Sequence, residues 1–306
     1  MTPNTKRQAM PTTASEATAL RTNLADYAVT KAMKDGRVKS DLVTLDFCGP
    51  TPAHNGFKAM VREQAFDAGE LAIVTYLQAK AYGKPYVLLP APISGRFQHH
   101  CAGFNVDFGH LDPRDIEGKK VGVRTYAQTT GLWIRGVLRH EYGVDLDKVT
   151  WMTLGDGHLA EYKDPENCVR LPAASSIPDM MLEGELAAAL LGEDMPKDPR
   201  VRTLVPDAQA AAKTWYARAG IVPINHMFVV HKDLSKKRPD VVREIYRMIA
   251  ESRALAEGVP AVFPPLGLEA NRKGLQLAID WALDQKIIPH RLSVDELFDE
   301  VTGSLG

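Results

Sequence analysis

Three side chains that can carry positive charge stand close together between residues 96 and 100: Arg96, His99 and His100. A guanidinium can hold a carboxylate through two parallel hydrogen bonds, and an imidazole exchanges protons near neutral pH. If this segment is extended, His99 and His100 point to opposite sides, so at most one of them easily faces a common site. The segment predicts a carboxylate anchor, Arg96, beside a histidine that donates a proton. The alternative is that both histidines are surface residues or hydrogen-bonded structural residues.

Three more candidate residues come from distant parts of the chain. His226 interrupts the apolar run 221–230, Glu161 follows the glycine-containing turn 155–157, and His54 follows two closely spaced prolines. A lone histidine in a strand is often a hydrogen-bonded core residue, and a glutamate in a polar loop is usually only solvated. Since loops at strand ends commonly carry binding residues, we predict that Glu161 and His54 contact a ligand. For His226 we predict a catalytic or ligand-binding role.

The segment from Thr125 to Thr130 joins a predicted strand to a predicted helix. Backbone N–H groups at the start of a helix, with the hydroxyls of Thr129 and Thr130, can bind an anion. Simple capping of the helix is the alternative, and the two roles are compatible. Arg135, farther along the same helix, either reaches the site or lies on a solvated face.

Cofactor motifs are absent from the sequence. It contains no G-x-G-x-x-G, P-loop, G-x-S-x-G or H-E-x-x-H pattern, so we expect no organic cofactor. His99, His226 and Glu161 would form a two-histidine, one-carboxylate metal set, but no local ligand spacing supports it. We therefore expect no metal ligands, and a divalent metal remains an open alternative.

The pattern of short apolar runs between longer helical stretches favours an α/β fold. The main strands are predicted at 19–24, 42–47, 71–75, 87–89, 120–123, 149–154 and 221–230, and the main helices at 57–66, 129–142, 239–249 and 268–283.

Length and composition limit the class of protein. A chain of 306 residues fits about two domains. The net charge of -1 gives no basic excess for nucleic acid, and no apolar stretch is long enough to span a membrane. Three scattered cysteines suit a reducing compartment, so we expect a cytoplasmic protein. Residues 1–16 are polar, lack the apolar run of a secretory signal, and are expected to form a disordered tail.

Several blocks of sequence recur here in an order and spacing typical of one family: 20–24, 57–66 with Asp67 and Glu70 after it, 118–123, 133–138 continuing to 141–144, 181–186, and 222–226. In these blocks the chain resembles the 4,5-dihydroxyphthalate decarboxylases. The Trp-Ile-Arg-Gly helix, together with the distant Pro-Ile-Asn-His, is the most specific part of the match. The chain departs from the family at 124–127, where Arg-Thr-Tyr-Ala replaces the usual Pro-Glu-Tyr-Gln.

The resemblance implies a two-lobed type 2 periplasmic-binding-protein-like fold with a ligand cleft between the lobes. Lobe 1 would comprise residues 17–104 and 227–306, and lobe 2 residues 105–226. Hinge closure around a ligand is expected. The sequence leaves the oligomeric state open, including a homo-oligomer.

The resemblance also implies non-oxidative decarboxylation of a hydroxylated aromatic acid, such as 4,5-dihydroxyphthalate, by protonation of the ring and loss of CO2. His99, which matches a family position, or His226 would donate the proton. Arg96, Arg135, Thr129 and Thr130 would hold carboxylates, and Tyr126, Gln128 or Glu161 would contact ring hydroxyls. Two alternatives remain: a non-catalytic solute-binding protein for an aromatic or dicarboxylic acid, and an enzyme of this fold with another substrate.

Overall fold

The computed structural model describes residues 17–306, which form two β-sheets with helices around them. The predicted tail, residues 1–16, lies outside the described residues. None of the described helices is both long enough and apolar enough to cross a membrane.

The elements are numbered in chain order. The strands are β1 (Thr18–Asn23), β2 (Val43–Asp46), β3 (Ala68–Ala72), β4 (Tyr86–Gly95), β5 (Ala102–Asn105), β6 (Lys120–Val123), β7 (Thr150–Thr153), β8 (Cys168–Arg170), β9 (Ala188–Leu190), β10 (Val201–Thr203) and β11 (Ile224–His231). The helices are α1 (Lys31–Lys34), α2 (Phe57–Glu63), α3 (Ile73–Ala81), α4 (Thr129–Tyr142), α5 (Ile177–Leu182), α6 (Ala208–Ala219), α7 (Lys232–Lys237), α8 (Pro239–Ala254), α9 (Leu268–Asp284) and α10 (Glu300–Gly303).

Sheet I has the strand order β2-β1-β3-β11-β4 and takes its strands from both ends of the chain. Strand β1 is parallel to β2 and β3, whereas β11 is antiparallel to β3 and β4. Sheet II has the order β10-β5-β9-β6-β7-β8 and uses only the middle of the chain. We call the parts built on these sheets the first lobe and the second lobe.

The chain passes between the sheets twice. Strand β5 (Ala102–Asn105) pairs only within sheet II, and β11 (Ile224–His231) pairs only within sheet I. Both passages therefore come a few residues before the predicted boundaries at 104/105 and 226/227. The first passage consists of the residues between β4 and β5, which include Arg96 and His99.

The lobes also share a hydrophobic core. Helix α4 of the second lobe packs on α9, which belongs to the C-terminal part of the chain, and both contact α3. Gly136 lets α4 approach closely, since a Cβ there would lie 1.9 Å from the Trp281 ring. The ring of Trp133 meets Trp281 edge to face, with centroids 5.5 Å apart. One continuous core cluster consequently runs from sheet I to sheet II.

Helix α3 is the clearest departure from the predicted elements, because residues 73–75 were expected to continue a strand. Its residues Ile73–Ala79 are all buried. A helix that is apolar on every side shows no 3.6-residue period, and its β-branched start, Ile73 to Thr75, imitates a buried strand.

Candidate active site

A cavity of about 650 Å³ lies between the lobes and is the candidate active site. We call it the cleft. The first lobe and the first passage contribute His54 and Arg96, and the rest of the lining comes from strand ends and loops of the second lobe: Arg124, Gln128, Thr130, Leu154, Ile177, Pro178 and Leu190–Asp194.

A carboxylate–histidine pair lies on sheet I, within electrostatic reach of the cleft residue His54. His226 of β11 is paired with Ala72, at the end of the adjacent strand β3, which also carries Glu70. His226 Nδ1 lies 2.6 Å from Glu70 Oε2, and Glu70 is completely buried. The His226 side chain remains 19% exposed. A fully buried carboxylate requires such partners, because the cost of removing it from water is several kcal/mol.

Two more donors complete the surroundings of Glu70. The backbone N–H of Ala25 donates to Oε1 at 2.7 Å, and the Tyr27 hydroxyl donates to Oε2 at 3.0 Å. Burial, followed by the charge of Glu70, raises the pKa of Tyr27, so its hydroxyl keeps its proton. Glu70 is thereby fixed as an acceptor that holds the His226 ring in one orientation.

The other nitrogen of His226 is available for chemistry. Nε2 makes no hydrogen bond within residues 17–306 and is accessible to solvent. In the protonated ring, Nε2–H can donate a proton outward while Glu70 balances the charge. This arrangement has the geometry of a general acid.

His54 lies close to this pair, on the short 3₁₀ helix Ala53–Gly56. Asn23 holds that turn with a 3.0 Å hydrogen bond from Nδ2 to the Ala53 carbonyl. Burial first, then the positive charges of Arg124 and His226, lowers the pKa of His54. The structure thus places the predicted residue His54 in the cleft as a neutral imidazole at pH 7.

Two guanidinium groups provide positive charge in the cleft. Arg96 Nη1 lies 3.4 Å from Glu193 Oε1, and its Nε is buried without a partner among the described residues. Arg124, which was not predicted, is exposed at the end of β6 and makes no ion pair within residues 17–306. The two guanidinium groups can bind two carboxylates through charge-assisted hydrogen bonds, which are stronger than hydrogen bonds between neutral groups.

The start of α4 supplies part of the predicted anion site. Gln128 is the N-cap residue, and both Gln128 and Thr130 line the cleft. Thr129 is buried instead, and its Oγ1 accepts a 3.4 Å hydrogen bond from the backbone N–H of Val74 in α3. Thr129 therefore joins the two lobes and does not face the cleft.

The structure arranges His99 and His100 differently from the prediction. The segment is a turn, closed by a 2.9 Å bond from Cys101 N to the Gln98 carbonyl. His99 is 2% exposed, its ring meets Phe97 and Trp215 edge-on, and its Nδ1 has no partner among the described residues. Burial lowers its pKa to about 4. His99 is not a cleft residue, and it is uncharged at pH 7.

His100 is the histidine of this segment that approaches the cleft. It is exposed, and its Nε2 lies 3.9 Å from Glu193, the same carboxylate that Arg96 contacts.

Tyr126 and Arg135 form a buried pair inside the second lobe instead of contacting the cleft. The Arg135 guanidinium lies 3.9 Å from the centre of the Tyr126 ring and donates to Gln285 Oε1 at 2.9 Å. It also donates to the Tyr126 carbonyl at 2.7 Å. Arg135 is completely buried, because α9 and the residue that follows it cover this face of α4. Its Nη1 has no hydrogen-bond partner among the described residues, so Arg135 is held by two hydrogen bonds and by the Tyr126 ring.

Glu161 forms an ion pair with Lys84 of the first lobe at 2.6 Å. His158, in the same loop, points towards the first lobe. His158 Nδ1 lies 2.7 Å from the Thr75 hydroxyl, and the His158 ring meets Phe57 edge-on at 5.8 Å. Phe57 in turn meets His226 edge-on at 5.3 Å. His158, not Glu161, is therefore the loop residue beside the carboxylate–histidine pair.

The proposed metal ligands do not come together. Glu161 is bound to Lys84, His99 is enclosed by aromatic rings, and His226 is bound to Glu70. In the described part of the chain, no group of three or more His, Cys, Asp or Glu side chains is arranged to hold a metal ion.

Four residues of the site, Glu70, Tyr27, Arg124 and His158, were not predicted from the sequence. One signal was available: Glu70 is a single acid in the run Ala-Gly-Glu-Leu-Ala, and an acid within a buried strand needs a partner. The Tyr27 and His158 contacts depend on tertiary packing and have no comparable local pattern.

Solved structures define the fold. The chain is similar to the alkanesulfonate-binding protein SsuA of Xanthomonas axonopodis pv. citri (TM-score 0.58, 14% identity, 94% of this chain and 99% of that one). It is also similar to the periplasmic aliphatic sulphonate binding protein SsuA of Escherichia coli (TM-score 0.57, 14% identity, 92% of this chain and 92% of that one). For the desulfurization enzyme DSZB the TM-score is 0.53 at 13% identity, and the match covers 94% of this chain and 97% of that one. The predicted two-lobed periplasmic-binding-protein-like fold is confirmed.

Relatives in sequence identify the family to which the chain belongs. The 4,5-dihydroxyphthalate decarboxylase of Pseudomonas putida is 30% identical over 204 residues, which cover 62% of this chain and 78% of that protein. The enzyme of the same name from Comamonas testosteroni is 29% identical over 250 residues, 76% of this chain and 73% of that protein. No family model matches the chain. The chain belongs to the 4,5-dihydroxyphthalate decarboxylase family, and the prediction of an enzyme, a carboxy-lyase, is confirmed.

Proposed function

We propose that this enzyme converts 4,5-dihydroxyphthalate, or a close analogue, to protocatechuate and CO2, with His226 as the acid. The observation that carries the proposal is the buried Glu70 bound to His226 Nδ1 at 2.6 Å, which leaves Nε2 unpartnered. His226 lies near His54, which lines the cavity together with two guanidinium groups. The activity of both named relatives supports the choice of substrate.

The chemical step requires a proton at the ring carbon that bears the departing carboxylate. The hydroxyl para to that carbon supplies electron density, and the carbon takes the proton from Nε2 of the His226 imidazolium. The ring–carboxylate bond then breaks, its electron pair restores the aromatic ring, and CO2 leaves. One proton is consumed in each turnover, and solvent returns it to His226. Catalysis of this kind by a positioned acid typically contributes about 10²–10⁴-fold.

The positive groups of the cleft would hold the carboxylates. Arg124 has no protein carboxylate bound to it among the described residues, whereas Arg96 contacts Glu193 on the opposite wall. A substrate carboxylate that reaches Arg96 would take the place of the exposed Glu193 side chain. The start of α4 at Gln128 and Thr130 would add N–H and hydroxyl donors. This charge arrangement favours a dianion over a monocarboxylate.

The deciding experiment is to incubate pure protein with 4,5-dihydroxyphthalate and with a panel of hydroxylated benzoates and phthalates. We expect CO2 release only from phthalates that have a hydroxyl para to a carboxylate, with protocatechuate as the product from 4,5-dihydroxyphthalate. Tight binding with unchanged ligand would contradict the proposal and indicate a solute-binding protein. Addition of a chelator tests our further proposal that no metal is required. Turnover without any added cofactor tests the proposal that no organic cofactor is required.

A cytoplasmic location remains a proposal that rests on the cysteine pattern. Separation of cytoplasmic and periplasmic fractions, followed by detection of the protein, tests it directly.

A further inference from the structure

His158 is a second histidine beside the carboxylate–histidine pair, and the decarboxylation step described above does not use it. It belongs to the second lobe by sequence, after β7, but its side chain contacts the first lobe through Thr75 and Phe57. The rings of His158 and His226 both meet Phe57 edge-on, at 5.8 Å and 5.3 Å.

The backbone around His158 is held firmly. Arg62 of α2 donates from Nε to the His158 carbonyl at 2.6 Å and from Nη2 to the Gly157 carbonyl at 3.1 Å. Lys84 binds Glu161 in the same loop at 2.6 Å, and Leu159 is 1% exposed. A group held in this way before the ligand arrives loses little entropy on binding.

One nitrogen of His158 is free to meet a ligand. Nδ1 is hydrogen-bonded to the Thr75 hydroxyl. Nε2 makes no hydrogen bond within residues 17–306 and is accessible to solvent. Burial, followed by the positive charges of Lys58, Arg124 and Arg62, lowers the pKa of His158 to about 4. The ring is therefore neutral at pH 7, with one hydrogen-bond donor and one acceptor.

A neutral imidazole suits a hydroxyl better than a carboxylate. A phenol hydroxyl also donates one bond and accepts others, whereas the two guanidinium groups of the cleft already provide for carboxylates. The position of His158 also suits this role. It lies within electrostatic reach of Arg124, whose side chain lines the cleft, and it shares the Phe57 ring with His226.

We infer that His158 recognises the substrate's ring hydroxyl through Nε2, and that this contact selects hydroxylated phthalates over phthalate itself. The inference rests on the proposed function for the substrate class. It assigns to His158 a role in specificity: the residue orients the ring so that the carboxylate para to the bound hydroxyl faces His226.

Binding measurements in the His226→Gln background test this role without turnover. Dissociation constants are measured by calorimetry for 4,5-dihydroxyphthalate and for phthalate, with His158 present and with His158→Leu. We expect His158→Leu to weaken binding of the dihydroxy compound about tenfold, as for one lost hydrogen bond to a neutral partner, and to leave phthalate binding unchanged. The preference between the two ligands is the measured quantity.

The matched control is Lys84→Gln, which breaks the ion pair of the same loop but leaves the imidazole in place. It should keep the preference. If His158→Leu weakens both ligands equally, or neither, the inference is overturned. If that variant does not fold, His158→Phe, which keeps a ring against Phe57 but has no nitrogen, takes its place in the same comparison.

Failure of the proposed function gives a different result. If the unmodified protein releases no CO2 from 4,5-dihydroxyphthalate, the proposed reaction is wrong, whatever the ligand preference. If CO2 is released but the preference does not depend on His158, only the inference about His158 fails.

Discussion

His226 and His99 were both candidates for the proton donor, yet the regions around them differ in every respect that matters for catalysis. His226 has a buried carboxylate on one nitrogen and an open second nitrogen. His99 is enclosed by Phe97 and Trp215, and its Nδ1 has no partner among the described residues. The comparison shows that a histidine becomes an acid through its partner and its access, since a nearby arginine and burial alone leave His99 neutral and unreachable.

Loss of the acid should have the largest effect. His226→Gln keeps a polar side chain but has no titratable nitrogen, so we expect kcat to fall about 10³-fold. Protocatechuate formation under saturating substrate measures the loss. The Kd for phthalate should change little, and a variant that keeps more than a tenth of the activity would remove His226 from the role of acid.

The carboxylate behind His226 should have the next largest effect. Glu70→Gln removes the charge that balances the imidazolium and should lower kcat about 10²-fold. As a positioning residue, Glu70 should affect kcat and leave the Kd for phthalate unchanged. Glu70→Asp, which keeps the charge, should recover part of the activity. Equal losses for Asp and Gln would indicate that Glu70 only supports the fold.

The enclosed histidine, His99, should make the folded protein less stable at acid pH. The pKa of His99 is about 4 in the folded protein, against about 6.5 in an unfolded chain. Between these pH values the unfolded state binds more protons, so stability is full above about pH 6.5 and declines as the pH falls towards 4. Relative to His99→Leu, the unmodified protein should lose about 2 kcal/mol of unfolding free energy between pH 7 and pH 5.

Urea titrations of both proteins at the two pH values measure this difference. The contribution of His158, whose pKa is also about 4, is present in both proteins and cancels. Parallel pH dependence in the two proteins would show that His99 is not the buried neutral group that the structure describes.

The smallest effect should be on turnover by His99→Leu. His99 is enclosed by Phe97 and Trp215 and does not line the cleft. We therefore expect kcat and KM within about twofold of the unmodified enzyme, as for a substitution away from the site. Activity lost to the same extent as in His226→Gln would reverse the comparison between the two regions.

The fold was largely predictable because its signals are local. Helix α4 has the predicted bounds, 129–142, since its apolar spacing is regular and Gly143 ends it in the left-handed conformation with φ 68°. Helix α3 was missed because it is buried on all sides and has no period to detect. The order of the elements, and hence the two-lobed class, followed from the family resemblance.

The site was less predictable because its contacts are distant in the chain. His226 and Glu70 are 156 residues apart, and no local pattern joins them. The choice between His99 and His100 depended on the backbone of one segment, which is a turn and not the extended strand that was assumed. Arg135 and Tyr126 belong to the correct helix and turn, but α9 covers them, and sequence spacing cannot reveal such a cover.

The packing of α9 on α4 has a consequence for synthesis of the protein. Arg135 finds its partner Gln285 only 150 residues later, and Trp281 fills the space above Gly136. A nascent chain that has completed both sheets still exposes Trp133 and leaves Arg135 without its bond to Gln285 until α9 leaves the ribosome. Folding of the second lobe is therefore completed late in translation, and chains that stop before α9 should be early substrates for chaperones and proteases.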